Sequence, residues 1–287
     1  MHGRITYRLF CAFAFLSAGV SGCADSSAAS PCRFAPRFVA EAAGCIEGQV
    51  VWWGDTPNVA PFSYRLPAGL ENGSMTAGLR ANPFAPAIDP YSHAVSDAVV
   101  YLREVDPQQA RPWDHPLVAV EQRDLRLHIL QGGRDNGIGW ARRGDPVEMV
   151  SREPRFHALR ARGSTWFTLA FPDPDQPLSR SWDDSGVVEL TSGAGYYWMR
   201  AFLFVAEHPY YACTDEDGRF TLPAVPPGRY EIVCWLPNWR ETGRDRDPDT
   251  GRVTRLGFAP PASLTQTVEV NARQTRGVRF ALKMSDF

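Results

Sequence analysis

The stretch TDEDGRFTLPAVPPGRYEIVCW, residues 214–235, decides the fold. Asp217-Gly218 makes a tight turn, because glycine accepts a left-handed backbone and aspartate hydrogen-bonds within its own turn. Phe220 and Leu222 then alternate with polar neighbours, the two-residue period of a strand with one buried face. Pro226-Pro227-Gly228 reverses the chain, and Tyr230, Ile232 and Cys234 alternate along the returning strand. This is antiparallel β-structure.

The pattern repeats in both directions. Short β-rich runs bounded by Gly, Pro and Asp occur at 49–53, 98–104, 117–120, 125–130, 146–150, 164–171, 186–190, 198–205, 219–222, 229–236, 254–258, 266–270 and 277–282. No window of a dozen residues past the N-terminal region has helical periodicity. Asp106-Pro107 with Gln-Gln-Ala predicts a single capped turn. No helix follows a strand in a βαβ rhythm, which excludes Rossmann and P-loop architectures. The expected fold class is therefore all-β, with two sandwiches of roughly 100 residues each. Residues 57–90 form the main irregular stretch. The acidic run DRDPD at 245–249 is expected at an exposed hairpin tip; it lacks calcium-loop spacing, so a solvated loop is the reading adopted.

Composition narrows function. The chain has 287 residues, 44% of them apolar, with nine Trp and 16 Phe, enough to build a core and to exclude disorder throughout. Thirty basic residues against 32 acidic ones give −2 without basic blocks, which argues against a nucleic-acid partner. At the N-terminus Arg4 and Arg8 precede an apolar stretch over 9–20, too short to span a bilayer stably and typical of a secretory signal over residues 1–22. The segment ends Val20-Ser21-Gly22-Cys23, which resembles the bacterial lipobox, implying acylation of Cys23. Each buried methylene of such an anchor contributes about 0.8 kcal/mol. The alternative is ordinary cleavage nearby. Residues 23–45 then serve as a tether. The expected location is the bacterial cell envelope, beyond the inner membrane, with the membrane as a partner through the lipid. In that oxidising compartment the remaining cysteines are expected to pair, Cys32 with Cys45 and Cys213 with Cys234.

Two family resemblances refine this. Residues 214–235 resemble the carboxypeptidase regulatory-like domain, a seven-stranded prealbumin-type sandwich that serves as a non-catalytic accessory module. From Thr214 onward only about five strands are available, and the opening strands of such a domain resemble Gly48-Gln-Val-Val and the later run at 95–102. A discontinuous domain, 46–104 plus 208–287, is therefore expected, with 105–207 inserted. That insert resembles a cupredoxin of the methylamine-utilisation type in GDPVEMV at 144–150, Arg155-Phe156-His157, and GVVEL at 186–190 leading to TSGAGYYWM at 191–199. The resemblance implies copper-ligand positions at His157, Ser192, Tyr196 and Met199. Ser192 stands where the family has its thiolate and Tyr196 where it has a second imidazole, so the site is expected to be vestigial and the chain to carry no cofactor and no metal.

His157 reads either as a metal remnant or as a structural loop histidine, and the structural reading is adopted. Tyr196, Tyr197 and Trp198 read either as an aromatic surface for a sugar or peptide or as packing; packing is adopted, with a Tyr196–His157 hydrogen bond expected. No catalytic elbow or zinc-protease motif is present in the sequence. Three functions follow. The first is a non-enzymatic envelope lipoprotein, a binding or structural module with an envelope protein or glycan partner. The second is an electron-transfer cupredoxin with an altered copper site, and the third an envelope hydrolase whose site assembles only in space. The first is the expectation.

Overall fold

Residues 37–67 and 75–287 are described by the computed structural model, so the expected signal segment 1–22, Cys23 and Cys32 lie outside the described residues. The chain enters through one 3-10 turn, Ala40–Ala42, and begins the strand Gly44–Trp53. That strand runs antiparallel to Arg219–Val225 and parallel to Thr275–Lys283, giving a three-stranded sheet. Gly48 is needed there: a Cβ would lie 2.1 Å from the Val278 carbonyl oxygen and 2.5 Å from the Phe220 ring. Gly218, at φ +71°, makes the turn that leads into Arg219–Val225.

A second sheet has four antiparallel strands in the order Tyr211–Cys213, Val99–Arg103, Gly228–Leu236 and Ala262–Val270. Ile46, Val50, Trp52, Phe280 and Leu282 of the first sheet share a buried core with Val100, Leu102, Ile232 and Cys234 of the second. Strands from before residue 104 thus pair with strands from after residue 210.

Between them, residues 119–206 build two five-stranded sheets. One has the order Leu178–Ser181, Pro146–Ser151, Ala119–Arg123, Arg126–Gln131, Arg134–Asn136. The other has Ile138–Arg142, Arg200–Ala206, Gly186–Ser192, His157–Gly163, Phe167–Phe171. Val147, Met149, Val120 and Ile129 of the one, and Leu159, Leu190, Leu203 and Val205 of the other, are buried in the core.

Alternation gives the strand Arg200–Ala206 a second apolar face. Phe202 and Phe204 meet Val99 and Trp235 of the four-stranded sheet, together with Ile138 and Trp140. Trp235 lies edge-on to both rings, at 4.9 Å from Phe202 and 5.1 Å from Phe204, and Tyr101 stacks on Tyr211 at 5.1 Å. The string His208-Pro-Tyr-Tyr211 and the residue Trp235 are therefore packing residues between sheets.

All thirteen expected strands are present, and the all-β class holds. Other strands carry no alternation that the sequence displays, including Leu178–Ser181 and Glu241–Arg246, and His157–Gly163 alternates only over Leu159-Arg160-Ala161-Arg162. The stretch 57–90 contains a hairpin, Phe62–Pro67 with Met75–Arg80. The acidic run closes the hairpin Glu241–Arg246 with Val253–Phe258; the Asp247 carboxylate accepts from the Thr250 N–H and hydroxyl, both at 2.7 Å, so its own turn satisfies it.

The disulfide expectation fails for Cys213 and Cys234, which are free thiols, as is Cys45. The strand Val99–Arg103 lies between them: Cys213 pairs across it with Val99, and Cys234 with Val100. Consecutive partners point to opposite faces, so the two sulfurs are a strand apart and on different sides of the sheet. Burial pushes the Cys213 thiol up to about 11 and the Cys234 thiol up to about 12.

Candidate functional site

The strand His157–Gly163 pairs with Gly186–Ser192 so that Leu159 faces Ser192. Beyond Ser192 the chain loops and returns as Arg200–Ala206. Three backbone bonds close the loop: Gly193 N–H to the Ala158 carbonyl at 2.7 Å, Met199 N–H to Tyr196 at 2.9 Å, and Ser192 N–H to Met199 at 3.4 Å. This brings His157, Ser192, Tyr196 and Met199 to one end of the second pair of sheets, with the Tyr196 ring 5.0 Å from the His157 ring.

The end is filled. His157 is 0% exposed, Met199 1%, Ser192 and Trp198 3%. The Trp198 indole N–H donates to the Leu125 carbonyl at 2.9 Å, so this ring packs inward and offers no platform; Tyr196 and Tyr197 are half-buried beside it. The Ser192 hydroxyl accepts from the Ala194 N–H at 3.1 Å.

The expected Tyr196–His157 hydrogen bond is replaced by another. His157 Nε2 lies 2.6 Å from the Glu153 carboxylate, four residues earlier, and Tyr196 only packs against the ring. Burial lowers the imidazole's pKa, and the Glu153 carboxylate opposes this without reversing it. Nδ1 is enclosed without a hydrogen-bond partner among the described residues. A copper ion of the blue type needs a thiolate and two imidazoles. Here the donors are one imidazole nitrogen, one thioether, a phenol and a hydroxyl already engaged by backbone. That set does not fit.

A feature with no sequence signal is a cavity of about 290 Å³ where six short chain segments meet, lined by Phe84, Pro86, Arg126, Asp135, Asn136 and Trp198 among others. Beside it His128 Nδ1 bonds Asp135 at 2.7 Å, Asp135 pairs with Arg123, and Asn136 donates to Asp97 at 3.0 Å. Burial pushes the Asp135 carboxyl up, but His128 and Arg123 together hold it below its ordinary value. The dyad has the form of an oriented base, yet His128 Nε2 is itself enclosed and has no partner among the described residues, so it presents no nitrogen to a substrate. The cavity lining mixes apolar residues such as Phe84, Leu127 and Trp198 with the polar Asp97, Arg126, Asp135 and Asn136.

Glu207 and Asp215, acidic residues away from this end, are engaged locally. Glu207 pairs with Arg143 at 2.8 Å, while Asp215 accepts from the N–H groups of Asp217 and Arg219 within its turn.

No protein-family model matches the chain, and no curated protein is similar to it. Solved structures similar to part of it are cupredoxins. A purple cupredoxin from Nitrosopumilus maritimus is 10% identical over 32% of this chain and 99% of its own, with a TM-score of 0.24. A methionine-to-alanine mutant of amicyanin in its Cu(I) form is 13% identical over 37% of this chain and 98% of its own, with a TM-score of 0.26. A methionine-to-glutamine mutant of amicyanin, also Cu(I), is 12% identical over the same shares, again at 0.26.

Proposed function

We propose that this chain is a non-catalytic, lipid-anchored protein of the bacterial cell envelope that acts as a binding or structural module. The observation that carries this reading is the filled end around His157, where Ser192, Trp198 and Met199 are core residues and the hydroxyl and imidazole are engaged by Ala194 and Glu153. A surface built for electron exchange or hydrolysis would instead present its reactive atoms to a partner. The aromatic contact between the four-stranded sheet and Arg200–Ala206 supports a rigid body whose cavity near Asp135 and Trp198 takes a small ligand.

A second reading, an electron-transfer protein with an altered copper site, is favoured by one observation: Nδ1 of His157 has no partner among the described residues. One experiment separates the two. The purified full chain is titrated with Cu(II), then dialysed against a chelator. No retained copper and no visible colour are expected; one chelator-resistant copper per chain would overturn the binding-module reading. Mass spectrometry of the same preparation should find acylated Cys23, and an unmodified N-terminus elsewhere would overturn the anchor.

A further inference from the structure

On the outer face of the sheet that carries His157–Gly163, the charges do not balance. Cross-strand pairing sets Arg162 opposite Glu189 and Arg160 opposite Thr191, all four on one face. Neighbours of opposite charge on such a face normally pair. Glu189 instead turns to Arg200, the next strand's guanidinium, and bonds it. Arg162 is left without an ion pair among the described residues, and Arg160 likewise. The hairpin strand Val253–Phe258 brings a third guanidinium, Arg255, whose carboxylate contact among the described residues is one nitrogen 3.3 Å from Asp245.

Unmet donors mark the same spot. Arg162 Nε, Arg255 Nε and the Thr191 hydroxyl are all enclosed without a hydrogen-bond partner among the described residues. A chain with a net charge of −2 thus holds Arg160, Arg162, Arg200 and Arg255 around two carboxylates, Glu189 and Asp245. Burial, then the nearby Arg255 and Arg160, push the Arg162 guanidinium below its ordinary value, and the Glu189 and Asp245 carboxylates oppose this without reversing it. Guanidinium forks match the oxygens of a tetrahedral oxyanion.

We propose that Arg160, Arg162 and Arg255 form a binding site for a phosphate group. The chemistry is shared by a free phosphate and by the headgroup of an anionic phospholipid, and the test distinguishes them.

The full chain in non-ionic detergent is titrated calorimetrically with inorganic phosphate and, separately, with micelles doped with phosphatidylglycerol or phosphatidylcholine. Saturable binding of inorganic phosphate assigns a free-phosphate site. Binding confined to phosphatidylglycerol micelles assigns a headgroup site. In either case Arg160→Gln/Arg162→Gln should weaken binding about tenfold or more per guanidinium removed, while the remote Arg229→Gln should bind as the parent does. The double variant loses no ion pair, so its melting temperature without ligand should be no lower than the parent's, and phosphate or phosphatidylglycerol, whichever binds, should raise the melting temperature of the parent alone. Equal binding by the double variant, or no binding to either phosphate source, overturns the proposal.

Discussion

The sheet containing Arg200–Ala206 has two regions that treat buried polar groups differently. On its outer face the Arg200 guanidinium lies over three rings, Phe258 at 4.2 Å, Phe202 at 4.5 Å and Phe84 at 5.0 Å. It also pairs with Glu189 and donates to the Asn238 carbonyl at 3.1 Å. Next to it Phe202, Phe204 and Trp235 interlock. On the inner side, at the loop end, His157 has one engaged nitrogen and one enclosed nitrogen with no partner among the described residues. In the first region the cation is met by π-faces, a carboxylate and a carbonyl, so the hold on Arg200 does not depend on one histidine proton. The second holds a neutral imidazole in a place where a charged one is disfavoured, so its strength depends on pH.

The largest effect should come from breaking the packing of Phe202, Phe204 and Trp235. Trp235→Ala removes the ring that touches both Phe202 and Phe204, and should cost about 3–5 kcal/mol in urea unfolding. A cost below about 1 kcal/mol would show that the two sheets do not depend on each other.

Acid should expose the second kind of site. His208 is buried against Tyr211, and burial lowers its pKa from 6.5 to about 4; burial lowers those of His115 and His157 in the same direction. Between pH 6.5 and 4 the unfolded chain takes protons that these folded imidazoles refuse. Stability is therefore full above pH 6.5 and falls as pH drops, by about 3 kcal/mol for His208 alone. Unfolding curves at about pH 7.5, 6 and 5 measure this. His208→Phe should flatten the profile, and an unchanged slope in that variant would assign the acid sensitivity elsewhere.

The smallest effect concerns the thiols. Adding a reductant should leave the urea midpoint unchanged as far as Cys213 and Cys234 are concerned, since no bridge joins them. A maleimide should leave both unlabelled in the native protein and label both in urea without reductant, read by peptide mapping. A Cys213–Cys234 peptide pair found still linked would reverse the strand order described for the four-stranded sheet.

Local signals carried the reading of the chain as far as its turns and alternating runs. Asp217-Gly218, the pattern of Phe220 and Leu222, and the returning Tyr230, Ile232 and Cys234 could be recognised because a hairpin is written within a few residues. The strand His157–Gly163 alternates only over Leu159-Arg160-Ala161-Arg162, a run too short to mark a strand by itself; its neighbours on either side make it one. The loop positions His157, Ser192, Tyr196 and Met199 were legible as a group because a loop closing on a strand keeps its members near one another.

Their bonding was not legible. Glu153 takes His157 Nε2 through a bend in the chain, which residue spacing alone does not reveal. Cys213 and Cys234 are separated by a strand contributed from more than 100 residues upstream, so sequence distance misjudged them. The cavity beside Asp135 needs six short segments that only the packed sheets bring together. Arg162 faces a carboxylate in register, and it makes no direct ion pair among the described residues because Arg200, on the next strand, draws Glu189 away. Residue types and their alternation thus determined the strands and which faces are apolar. The choice among competing partners for each buried donor belonged to the tertiary structure, because hydrogen bonds and ion pairs form with whichever group lies within about 3 Å, whatever its place in the chain.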